Sequence, residues 1–244
     1  MIEIEALSKN YGTFQAVDAL SLRVARGEIL GLVGPNGAGK TTTLRCVTGI
    51  IPPSAGVVRV GGFDLGEQPV EAKRRLAFVP DEPRLFDYLT ARDHLTITAR
   101  LYGVADGAER GEALLRELEL GDRGDSYPSE LSRGMKQKLM VAMALLHRPE
   151  AILLDEPLTG LDPVAMRRMK DRIRRAADDG VAVILSSHML HLVEELCARI
   201  AVIVGGRKVL DGTLDEIRGA LPGPGGRGDL EAIFMKAIGE DPTP

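Results

Sequence analysis

Gly34-Pro35-Asn36-Gly37-Ala38-Gly39-Lys40-Thr41 reads as glycine, four residues, then glycine-lysine-threonine, with Thr42 directly after it. Glycines at these places let backbone N–H groups turn inward and approach an anion closely. The apolar run Glu28–Val33 leads into the stretch, and Lys40–Gly49 has the character of a helix. A helix beginning there aims its positive end at the same point. This is the phosphate-loop pattern, in which the lysine reaches β- and γ-phosphates and the threonine hydroxyl ligates Mg²⁺. The plainer alternative is a glycine-rich turn; with strand before and helix after, the phosphate reading is preferred. Gly34, Asn36, Gly37, Ala38, Gly39, Lys40, Thr41 and Thr42 are the expected ATP-binding residues.

A phosphate enzyme also needs an acid at the end of another apolar strand. Ala151-Ile152-Leu153-Leu154-Asp155-Glu156-Pro157 supplies two. Asp155 is placed to hold Mg²⁺, directly or through water, and Glu156 to polarise the attacking water as general base. Two acids ending a strand mean little alone. Beside the Gly34–Thr41 loop they make a coherent hydrolytic site.

Outward from these two points the chain alternates apolar strands with helices. Ile2, Ile4 and Ala6 are expected on one face of a first strand, and Leu20, Leu22 and Val24 repeat the pattern. Short buried strands are expected at Leu76–Pro80, Ala151–Asp155, Val181–Ser186 and Ile200–Val204, with helices at Pro163–Asp178 and His188–Ala198. Such alternation argues for a parallel sheet covered on both faces. Between Glu82 and Arg148 the pattern changes. Thr90–Leu101, Gly107–Leu120 and Ser129–His147 read as successive helices without a strand, which predicts a helical subdomain over about 84–148 inserted in a domain spanning 1–220. Leu221–Gly226 is a glycine- and proline-rich breaker, and 221–244 reads as linker, a short helix at Asp229–Ile238 and a tail.

The 244 residues suit one large domain with an insert, and 44% hydrophobic content allows a real core. A net charge of -4 gives no footprint for nucleic acid, and no nucleic-acid partner is expected. Cys46 and Cys197 are the only cysteines and the four histidines lack ligand spacing, so two buried thiols in a reduced compartment are expected. Met1–Glu5 is unlike a signal peptide, and no stretch approaches the roughly 20 apolar residues of a membrane span. Any membrane role is expected to come through a partner.

Leu131-Ser132-Arg133-Gly134-Met135-Lys136-Gln137 lies about twenty residues before Asp155. Here the sequence resembles the ATP-binding-cassette family, the nucleotide-binding subunits of ABC transporters, over nearly the whole chain from Tyr11 onward. The resemblance implies a P-loop NTPase core with a mostly parallel sheet, a small N-terminal antiparallel β part and the inserted helices. It implies that Tyr11 stacks on adenine, which suits a flat ring. Ser132 and Gly134 match the signature motif, which contacts the γ-phosphate held by an opposite subunit. Leu158–Pro163 resembles the loop across the dimer interface, with Asp162 also fit to cap a helix. Ser186-Ser187-His188 resembles the switch histidine, which contacts the γ-phosphate and Glu156. Lys40, Glu156 and His188 are then the catalytic set.

Two departures from the family pattern stand out. The usual glutamine after the fourth strand is replaced by Asp81, in Val79-Pro80-Asp81-Glu82-Pro83, which offers oxygen to Mg²⁺ directly or through water but adds negative charge. The signature reads Ser-Arg-Gly-Met, and Arg133 either stays solvated, the preferred reading, or reaches a phosphate across the dimer. The Ser-Arg-Gly-Met-Lys-Gln run and the Pro-Asp-Glu-Pro segment are similar to those of ATPases serving ABC-2-like exporters. The implied function is an ATPase subunit that dimerises on ATP, as a homodimer or with a close paralogue. It powers a transmembrane permease, sitting peripherally on the cytoplasmic face. The alternatives are a soluble ATPase acting on ribosomes or DNA, and a catalytically silent regulatory cassette.

Overall fold

The structure, a computed structural model, describes residues 1–220 and 230–237. The chain opens with β1 (Ile2–Tyr11), β2 (Phe14–Val24) and β3 (Ile29–Val33), followed by α1 (Lys40–Val47). Then come β4 (Ala55–Val60), β5 (Phe63–Asp64), α2 (Pro69–Arg74) and β6 (Leu76–Val79). The helices α3 (Ala91–Tyr102), α4 (Gly107–Glu117) and α5 (Arg133–Leu146) follow without an intervening strand. After them β7 (Ala151–Asp155), α6 (Pro163–Asp178), β8 (Ala182–Ser187), α7 (Leu190–Leu196) and β9 (Arg199–Val204) resume the alternation. The described chain closes with β10 (Arg207–Thr213), α8 (Leu214–Ala220) and α9 (Leu230–Ala237). The expected breaker Leu221–Gly226, and the ends of the helix expected over Asp229–Ile238, lie outside the described residues.

Two sheets result. The smaller is antiparallel throughout, in the order β2-β1-β4-β5; the larger runs β10-β9-β3-β8-β7-β6 and is parallel except for the β9–β10 pair. Period-two alternation explains why the central strands are apolar without interruption. Ile29 and Val33, Ile152 and Leu154, and Val183 and Leu185 point to one face, packed by the helices. Leu30 and Leu32, Leu153, and Ile184 point to the other, packed by α1 and the small sheet.

Three expectations are corrected. Ala6 is exposed at φ +49, and Leu7 takes the buried place, because the register with β2 shifts between Ile4 and Leu7. An extra residue in the strand reverses which side chains face inward. The helix expected from Ser129 starts at Arg133. A 3-10 turn at Pro128–Glu130 and an extended Leu131 precede it, and Ser132 caps it by accepting from the Met135 N–H at 3.2 Å. The helix expected from His188 starts at Leu190, since the Ser187 hydroxyl accepts from the Met189 N–H at 3.0 Å and holds His188 in a turn.

Candidate nucleotide site

The C-terminal edge of the parallel strands gathers the polar residues of the large sheet. In the registers of β3 with β8, and β7 with β8, Val33 is level with Ser187 and Asp155 with Ser186. Val79 is level with Leu154, so Asp81 leaves β6 beside the end of β7. A ligand crevice at this edge is what an open parallel sheet provides.

The phosphate loop joins β3 to α1. Gly39 sits at φ +102, and a Cβ there would stand 2.4 Å from the carbonyl oxygen of Ala16. Only glycine permits that turn and that approach. Lys40 is buried, and its ammonium donates to the carbonyl oxygens of Gly34 at 2.6 Å and Pro35 at 3.1 Å. The lysine thus closes the loop on itself. Burial lowers its pKa, an effect opposed by the charges of Glu156 and Asp155 across the crevice.

Asp155 is 2% exposed, and one oxygen accepts from the Ser186 hydroxyl at 2.5 Å. The Glu156 N–H is shared between the carbonyl and hydroxyl oxygens of Ser186, each at 3.2 Å. These bonds hold Glu156 at φ +47, an uncommon conformation for a non-glycine residue and one often found at functional sites. Its carboxylate meets His188 Nδ1 at 2.9 Å through one oxygen and accepts from the Ser187 hydroxyl at 3.5 Å through the other. Geometry therefore brings Lys40, Asp155, Glu156 and His188 together. Ser186 was not assigned a role from the sequence. Its signal was a hydroxyl at the end of an otherwise apolar strand, level with Asp155.

The other expected residues stand apart from this cluster. Tyr11 is half exposed where β1 turns into β2, with the Lys9 ammonium 5.2 Å from its ring centre. Ser132 and Gly134 form the first turn of α5, where a Cβ on Gly134 would stand 3.3 Å from Leu161. Asp81 accepts from Arg133 at 3.1 Å, so Arg133 keeps the solvent exposure expected of it while one end of its guanidinium is engaged within the chain. The donor set near the lysine suits Mg²⁺. Asp155 keeps acceptor capacity beyond its one bond, and Thr41 lies in the first turn of α1, so the two would offer the oxygen ligands that a hard cation prefers.

Residues 17–159, from the second strand through the two acids, match the family described as ABC transporter. This chain belongs to the ABC transporter family. It is an ATPase subunit of that family by its match. The ABC subunit is 40% identical over 213 residues to the Nod factor export ATP-binding protein I of Paraburkholderia xenovorans, covering 86% of this chain and 70% of that protein. It is 34% identical over 225 residues to the linearmycin resistance ATP-binding protein LnrL of Bacillus subtilis, covering 91% and 72%. A solved ATP-binding subunit of an ABC transporter superposes with a TM-score of 0.91 at 33% identity, covering 97% of this chain and 99% of the other. The ABC match ends before Ser186 and His188, so those two rest on geometry and on the resemblance of their motif.

Proposed function

We propose that two such subunits close around Mg-ATP and that hydrolysis drives a separate transmembrane permease in the direction of export. The observation that carries the hydrolytic part is the 2.9 Å contact between Glu156 and His188. It lies at the strand edge that also presents Lys40 and Asp155.

Thr41 and Asp155 would hold Mg²⁺, which when bound would neutralise phosphate charge. Lys40 exchanges its loop carbonyls for the β- and γ-phosphate oxygens, and loop N–H groups from Gly34 to Thr42 cradle the chain of phosphates. Glu156 accepts a proton from the attacking water as its oxygen bonds to the γ-phosphorus and the bond to the ADP oxygen breaks. His188 orients that carboxylate and contacts the γ-phosphate. Tyr11 stacks on the adenine. Ser132 and Gly134 supply the closing contacts to the γ-phosphate on the opposite subunit, so two chains are needed for one complete site. Asp81, engaged by Arg133, would meet such a cation only through water.

The relatives' names, Nod factor export and linearmycin resistance, support export. Among the described residues no helix is long and apolar enough to cross a membrane; the permease is proposed as a separate chain, with this subunit peripheral at its cytoplasmic face. Exposed Phe86 and Tyr88 lie on the segment after Asp81, giving an apolar surface for that partner.

Glu156→Gln is expected to keep ATP binding, to lower hydrolysis by about 10²–10⁴-fold, and to accumulate an ATP-bound dimer visible by light scattering. A variant that stays monomeric at saturating Mg-ATP contradicts the shared site. Affinity purification from detergent-solubilised native membranes is expected to bring a multi-span protein in stoichiometric amount; recovery of ribosomes or DNA instead overturns the permease assignment.

A further inference from the structure

The two departures from the family pattern meet in space. Arg133 Nη2 donates to Asp81 Oδ1 at 3.1 Å, across 52 positions of sequence. The stem of the same arginine passes over Gly160, where a Cβ would stand 3.4 Å from Cδ and 3.5 Å from Nε. One turn along α5, on the same face, Gln137 Nε2 donates to the carbonyl oxygen of Pro80 at 3.4 Å. Two side chains of α5 thus hold the segment after β6, and one also lies on the turn that leads from Glu156 to α6.

The electrostatics explain why a cation belongs there. Asp155, Glu156 and Asp81 leave the C-terminal ends of adjacent strands β7 and β6. The charges of the first two oppose the fall in the pKa of Lys40 that burial causes. A third carboxylate at this edge would repel a polyphosphate unless it were neutralised. Arg133 is always charged and presents a rigid fork to a carboxylate.

We propose that Arg133 is a positioning residue for Asp81. It neutralises this carboxylate, turns it toward α5, and ties the loop after β6, the Ser132 turn and the Gly160 turn to one another. The pair is about half exposed, so its strength in isolation is small. Its effect is to cancel a repulsion rather than to add attraction. The proposal rests on the nucleotide reading of the strand edge given above.

The test is a double-mutant cycle with a definite sign. Arg133→Gln is expected to weaken binding of a fluorescent ATP analogue by at least about threefold, and to raise KM for ATP more than it lowers kcat. Asp81→Asn in that background restores affinity, because the unneutralised charge is gone, and Arg133→Lys keeps most of it. In the nucleotide-free chain, thermal midpoints of the unmutated protein, Arg133→Gln, Asp81→Asn and the double variant show coupling between the two positions. If Arg133→Gln and the double variant bind equally poorly, or if the two substitutions act additively on affinity and melting, the assignment is overturned. An unmutated chain that binds no ATP overturns the nucleotide reading instead, while the melting cycle still judges the pair.

Discussion

His147 follows the last turn of α5, stacked on Tyr102 with ring centres 3.8 Å apart. Burial pushes its pKa down to about 4. The unfolded chain, with an ordinary imidazole, binds more protons than the folded one between about pH 6.5 and pH 4, so this residue contributes stability above 6.5 that is lost as pH falls toward 4. Because the residue as a whole is only partly buried, the loss expected is about 2 kcal/mol rather than the full shift. Melting curves across this window should show His147→Phe, which keeps the stack, losing less stability on acidification than the parent. An unchanged pH dependence would mean that the imidazole binds its proton equally well in the folded and unfolded chain. Glu156 presents a different residue-scale effect. Its φ of +47 is imposed by Ser186, and nothing in the string Asp155-Glu156-Pro157 announces it. Identity and order were legible for Lys40, Asp155 and Glu156 because their chemistry is local to a loop or strand end. The serine that orients two of them was not, because it acts across strands.

At the scale of elements, β3 and α7 meet at Gly31. A Cβ there would stand 2.5 Å from Val193 Cγ1 and 3.1 Å from Cys197 Sγ. Gly31→Ala is expected to cost about 1–3 kcal/mol in chemical denaturation, and Val193→Ala in the same chain should return part of it. If the double variant is no more stable than Gly31→Ala alone, the crowding lies elsewhere. Since α7 begins just after His188, the crowded variant should also lose hydrolysis more than ATP binding. Strands buried on both faces, such as β7 and β8, were readable as unbroken apolar runs. β4, β5, β10, α2 and α8 were not expected from sequence. β5 and α2 are short and β10 is largely exposed, so neither periodicity nor apolar content marks them, whereas β4 carries Val57, Val58 and Val60 and was readable but unread. The starts of α5 and α7 were misplaced because side-chain hydroxyls, not propensity, set the first hydrogen bonds.

Across the whole molecule, the small sheet, the phosphate loop and the β9–β10 turn are joined through a few backbone atoms. Asp18 N–H donates to the Gly206 carbonyl at 2.9 Å, and Gly206 N–H donates to that of Ala38 at 3.0 Å. Asp18 also pairs with Arg207. A Cβ on Gly206, at φ +81, would stand 2.9 Å from the Ala16 carbonyl oxygen. Gly206→Ala, far from the loop in sequence, is therefore expected to weaken nucleotide binding about tenfold, equivalent to about 1.4 kcal/mol, as measured by titration with a fluorescent ATP analogue. Unchanged affinity would show that the loop holds its shape without this junction. The sequence displayed the loop and the strand that carries it, but not this junction, whose residues are separated by more than half the length of the chain. Its consequence concerns selection of the nucleotide. In the proposed site, the face of Tyr11 and the loop are mounted on parts fastened to one another, which makes the distance between them a fixed gauge. A gauge of that kind sorts molecules by span and tolerates a change in the base better than a change in the number of phosphates.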